Sequence, residues 1–197
     1  ILTLEFLHGT KLSELDVEAL GPEEARDVAY RLADAWMTMV FRHGFFHSDP
    51  HPANIFLLDS GELGLVDFGQ AGKLTDEDMA RLTRVFVAAA TENVDAIPRH
   101  LRELGVRYDA TRELEFRAEL RTLFDRYYGA RLSDIDPMQV IREGFQLIYS
   151  MNLKLPSRFV MLDKAIATLA SVGQEIYPDF NVFEVARPYA RGLLAER

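Results

Sequence analysis

The chain has 197 residues, 48% hydrophobic and 27% charged, with no cysteine. That balance suits one globular domain with a buried core and excludes disulfide and thiol chemistry. A formal net charge of −9 argues against nucleic acid as a partner, whose phosphates demand a basic face, but not against a nucleotide whose phosphates are neutralised by metal.

The chain opens on Ile1 inside an apolar stretch, without a signal-peptide pattern, and reads as a fragment of a longer protein. No apolar run reaches the ~18–20 residues of a membrane span. Residues 1–6 alternate and predict a strand that leaves through His8-Gly9 into a turn. Gly21-Pro22 opens a strong helix. Pro22 suits its first position, Glu23 and Glu24 complement the helix dipole, and Arg42, His43 and Gly44 close it. Ala25, Val28, Ala29, Leu32, Trp36, Met39 and Val40 fall on one face and predict its core side. Residues 45–53 read as a polar, proline-containing loop, and residues 54–58 and 63–66 as strands joined by Asp59-Ser60-Gly61 into a hairpin.

From Thr75 onward the pattern is helical. Thr75 and Asp78 have capping-box spacing, and further helices are predicted near 112–128, 137–151, 157–172 and 182–195. Pro156, Gly173 and Pro178 punctuate the later ones. The expected fold is mostly α with a small β hairpin.

The residues that carry chemistry are His47-Ser48-Asp49-Pro50-His51-Pro52-Ala53-Asn54 and Asp67-Phe68-Gly69. Asp49, Asn54 and Asp67 bear oxygen, the donor magnesium prefers. A hairpin brings Asn54, at the start of one strand, near Asp67, at the exit of the other, so the two can share a cation. Magnesium keeps waters and takes its other ligands from substrate phosphates, so two protein ligands suffice. Asp49, on the preceding loop, can receive a proton from an attacking hydroxyl or orient a water. Gly69 would let the chain turn sharply after the metal ligand.

His47-Ser48-Asp49 followed by Asn54 resembles the kinase catalytic loop, and Asp67-Phe68-Gly69 resembles its magnesium-binding triplet. The longer HSDPHPANI, with VDFG and the tail LPSRFVMLDKAIATLASVGQEIYPDFNVFEVARP, resembles the UbiB family of atypical kinases. That resemblance implies a protein-kinase-like C-terminal lobe, ATP and magnesium as cofactors, and a role in isoprenoid quinone (coenzyme Q) biosynthesis or lipid homeostasis. It implies Asp49 in the catalytic role and Asn54 and Asp67 on the metal, with Glu5, Phe6 and Leu7 contacting adenine from a hinge at residues 1–8. Residues 45–72 would then be the catalytic loop and metal hairpin, and 75–197 a helical subdomain. The small N-terminal lobe, with its phosphate-covering loop and ATP-contacting Lys, would lie outside the chain. The partners implied are a nucleotide and, through other segments of the parent, lipid or quinone-pathway proteins and the membrane surface. The implied location is the bacterial cytoplasm or the cytoplasmic face of the membrane.

Other readings compete. His47, Asp49 and His51 could ligate a transition metal, which leaves Asp67-Phe68-Gly69 unexplained. Aminoglycoside and choline kinases also carry a His-x-Asp loop ahead of an Asn, and a pseudokinase-like nucleotide-binding module would keep the site without turnover. His47 itself reads as structural, packing near Phe68 and bonding backbone. The short link from Gly69 to Thr75 and the lack of an Ala-Pro-Glu triplet argue against a peptide substrate. Asp163 and Lys164 read as helix residues of structural type.

Overall fold

A buried stripe of Ala25, Val28, Ala29, Leu32, Ala33, Trp36 and Met37 makes one helix, α2 (Pro22–Thr38), the centre of the molecule. The computed structural model describes residues 3–127 and 136–195. Pro22 sits in the first turn of α2, and a π-helical turn at Met39–His43 carries the chain to Gly44, which caps it at φ 61°. The short α1 (Val17–Leu20) precedes α2, with Asp16 capping it by accepting the Ala19 N–H.

Among the described residues five short strands form two sheets. β1 (Gly9–Lys11), β3 (Ile55–Leu58) and β4 (Leu63–Leu65) make an antiparallel sheet in the order β1-β3-β4, with Leu58 opposite Gly9 and Leu65 opposite Ile55. β2 (Phe45–His47) pairs with β5 (Ala71–Lys73), Phe46 facing Gly72. Phe46 is fully buried, and a Cβ at position 72 would stand 2.0 Å from its ring, so the pairing needs glycine there. The helices that follow are α3 (Asp76–Ala90), α4 (Ile97–Glu103), α5 (Glu113–Tyr127), α6 (Pro137–Ser150), α7 (Ser157–Ile176) and α8 (Val182–Ala195). α7 and α8 pack on α2, and α3 packs on α4 and α8.

The expected hairpin, capping box and long helices are present, and the fold is mostly helical with small antiparallel sheets. Three expectations are corrected. The strand predicted at 1–6 is absent over residues 3–8; the pairing falls at Gly9–Lys11, where β3 offers an open edge, while positions 1 and 2 lie outside the described residues. The loop predicted at 45–53 begins with β2, whose ladder partner comes only after Asp67-Phe68-Gly69. The helix α4, with Pro98 in its first turn, was absent from the prediction because its seven residues are too few to set up a periodic pattern. Position 128, the predicted end of α5, lies outside the described residues.

Candidate active site

His47 fixes the geometry of the loop that follows β2. It is fully buried, its Nδ1 accepts the N–H of Asp49 at 3.1 Å, and its Nε2 lies 2.9 Å from the Val66 carbonyl. Because Nδ1 accepts, the proton sits on Nε2, which donates to Val66. One side chain thus ties the backbone of Asp49 to the strand exit just before Asp67. The Phe68 ring packs against it in a tilted arrangement, with ring centres 5.0 Å apart, and stacks on that of Phe45 at 6.1 Å. Both ring nitrogens are engaged inside the protein, which removes His47 from any transition-metal set. His51 Nδ1 accepts the N–H of Ala53 and shapes the same loop.

Further ties come from neighbours. Trp36 donates its indole N–H to the His47 carbonyl at 3.2 Å, locking the loop to α2. The Ser48 hydroxyl and N–H both donate to the Gln70 carbonyl, at 2.7 and 3.0 Å. Pro50 is buried, and Pro52 starts a single 3-10 turn at Pro52–Asn54. With this much cross-bonding, the loop is held by bonds to Trp36, Val66 and Gln70 as well as by its own internal bonds.

Asn54 donates its amide nitrogen to the Asp49 carbonyl at 3.3 Å, and its own carbonyl accepts the Val66 N–H at 2.9 Å. That leaves its side-chain oxygen as the group that could hold a cation. Asp67, one residue on, has φ 58°, the left-handed region, which Asp tolerates better than most residues. The sharp turn expected after the metal ligand is therefore made by Asp67 itself and not by Gly69. Gly69 serves another need: a Cβ there would lie 3.1 Å from Asp67 Oδ1, which accepts the Gly69 N–H at 3.4 Å. Such an uncommon backbone at a carboxylate costs on the order of 1 kcal/mol and persists because the ties around it leave no alternative.

Asp49, Asn54, Asp67, Gly69 and Gln70 line one open recess of about 240 Å³. All three oxygen-bearing residues predicted from sequence therefore come together. Among the described residues no three His, Cys, Asp or Glu side chains form a metal cage. A set of one carboxylate and one amide oxygen beside a recess fits magnesium, which completes its shell with water and phosphate. Glu5 and Phe6 are exposed and Leu7 half-buried, on a stretch without regular structure leading into β1. Leu7 lies over Gly64 of β4, close enough that a Cβ there would meet its methyl at 2.9 Å. The sequence reading missed Lys164 of α7, whose Nζ is 3.5 Å from Asp49 Oδ1.

The architecture is that of the C-terminal lobe of a protein-kinase-like domain. Residues 1–101 match the ABC1 atypical kinase-like domain and residues 120–181 the UbiB helical domain, and the chain belongs to the ABC1 atypical kinase-like family. It is 30% identical to an uncharacterized Synechocystis protein, sll1770, over 96% of this chain and 33% of that one. It is 28% identical to a probable protein kinase UbiB of Pseudomonas putida over 100% of this chain and 37% of the relative. The chain thus spans about a third of the length of these relatives. A Mycobacterium tuberculosis structure, Rv3197 in complex with erythromycin, superposes with a TM-score of 0.54 at 20% identity, covering 87% of this chain and 44% of that one. That likeness supports the fold. No described helix is long and apolar enough to cross a membrane.

Proposed function

We propose that this chain is the metal- and phosphate-handling lobe of an ATP- and magnesium-dependent atypical kinase or ATPase of the UbiB type, supporting isoprenoid quinone biosynthesis or lipid homeostasis. The observation that supports it is the convergence of Asp49, Asn54 and Asp67 on one recess, over-determined by His47, Ser48 and Trp36. The quinone role follows the UbiB name of the curated relatives.

In this reading Asn54 and Asp67 hold magnesium through oxygen, and the ion supplies charge neutralisation at the phosphates. Asp49 orients the acceptor hydroxyl or water and takes its proton. Glu5, Phe6 and Leu7 receive the adenine at the mouth of β1. Lipid or quinone-pathway proteins and the cytoplasmic membrane face are met through other parts of the parent.

The test is magnesium-dependent nucleotide turnover by the full-length protein. Asp67→Asn keeps a residue that tolerates the left-handed backbone, so the fold should survive with an unchanged Tm. Turnover should drop by at least about 100-fold. Wild-type magnesium dependence in that variant would overturn the assignment.

A further inference from the structure

We propose that Lys164, supplied by the helical subdomain, is a member of the phosphoryl-transfer site, a step that rests on the nucleotide reading above. The loop from Asp49 to Asn54 runs Pro-His-Pro-Ala between them and supplies no Lys or Arg. Its one basic-type side chain, His51, is turned back onto the Ala53 N–H. The recess itself carries two carboxylates, Asp49 and Asp67. A nucleoside triphosphate brings more negative charge than one divalent cation offsets, so a site of this kind calls for a further cation near the terminal phosphate.

α7 brings one. The helix packs on α2 and on β5, and Leu162, Ala165 and Leu169 are buried, which fixes its rotation. Lys164 then lies at the edge of that buried face, with its ammonium 3.5 Å from Asp49 Oδ1. Its side chain is 58% exposed and that of Asp49 30%, so the pair contributes little to stability. A four-carbon stem ending in a compact charge can move from a carboxylate to a nearby phosphate at little cost, and Lys binds phosphate as a point charge.

With nucleotide bound, the Lys164 ammonium donates to the terminal phosphoryl oxygens and leaves Asp49 free to align the acceptor. Transfer forms the bond from the acceptor oxygen to the terminal phosphorus and breaks the bond from that phosphorus to the bridging oxygen. The electron pair stays on the nucleoside diphosphate, and the acceptor proton passes to the Asp49 carboxylate. Lys164 keeps its protons throughout and stabilises charge as it shifts across the phosphoryl group.

The test uses the full-length protein and two readouts: steady-state turnover, and equilibrium binding of Mg·ADP with and without aluminium fluoride, which mimics the phosphoryl group in flight. Lys164→Met should lower kcat by about 100-fold with little change in KM for ATP. It should also lose the aluminium-fluoride tightening, expected at about 100-fold in the wild type, while binding Mg·ADP normally. Lys164→Arg should recover part of both. Arg158→Met, on the same helix but paired with Asp78, should change neither. Wild-type kcat and wild-type tightening in Lys164→Met would overturn the inference while loss of turnover in Asp67→Asn left the nucleotide reading standing. A wild-type protein that binds no Mg·ADP would take down both.

Discussion

Two residues only two positions apart do opposite jobs at the recess. His47 is wholly buried and spends both ring nitrogens on the backbone of Asp49 and Val66, whereas Asp49 is only partly covered and opens on the recess. Asp49 is thus presented to the recess by its neighbours, and its side chain is tied only by the partly exposed ion pair to Lys164. In the full-length protein Asp49→Asn should lower turnover by about 10²–10⁴-fold, the usual contribution of a positioned base, and leave the Kd for Mg·ATP unchanged. Normal turnover would move Asp49 among the structural residues. At this scale the sequence was most legible where chemistry is local. Asp49 and Asn54 sit five positions apart on one loop, and the hairpin carries Asp67 back to them. Lys164 left no such trace, because its contact with Asp49 joins distant parts of the chain and a single Lys on an amphipathic helix looks like any solvated one. The left-handed backbone of Asp67 was likewise hidden behind the glycine two residues later.

The elements show the same division between local and distant causes. The start of α3 was legible because Thr75 and Asp78 complete each other across one turn: Asp78 N–H donates to the Thr75 hydroxyl and Thr75 N–H to the Asp78 carboxylate. β2 was not, because Phe45–His47 is a strand only by virtue of Ala71–Lys73 and the fully buried Phe46 ring over Gly72. The segment between Gly69 and Thr75 is for the same reason committed to β5, with little backbone left to dock a peptide. Asp78 gives α3 a pH signature. Burial opposes its ionisation, but the Thr75 hydroxyl and N–H and the Arg158 guanidinium outweigh it and hold its carboxyl below the usual carboxylate range. The folded pKa lies under the unfolded one, so the stabilisation is complete above the unfolded value near 4 and is lost as pH falls through the folded value. Asp78→Ala should cost about 1–2 kcal/mol at pH 7. Below about pH 5 its Tm should fall less steeply with acid than that of the wild type. An equally steep acid limb in the variant would show that the capping carboxylate is not the group being titrated.

Across the whole molecule, two apolar clusters meet. One surrounds α2, and the other gathers Ala88, Ile97, Phe116, Leu120 and Met151 from α3, α4, α5 and the turn after α6. Leu101 and Leu153 pack against both, so the clusters are continuous and loss of one exposes the other. The helical periodicity announced that these elements exist; which faces meet depends on contacts between distant positions that periodicity does not encode. The chain should therefore unfold in one cooperative transition by itself. Nucleotide binding is another matter. The site is an open recess on one face, lined by Asp49, Asn54, Asp67, Gly69 and Gln70, and Glu5, Phe6 and Leu7, proposed above to receive the adenine, are mostly exposed, Phe6 at 79%. Kinase-like catalysis is mostly positioning and charge neutralisation, and both weaken when one wall is open to water. The chain alone should bind Mg·ATP more weakly than the full-length protein by at least about tenfold, ~1.4 kcal/mol, and should not turn it over. Calorimetry on the two proteins measures the difference directly. Equal affinity, or turnover by the chain alone, would mean that the nucleotide is held entirely by these residues and not in a cleft between two lobes.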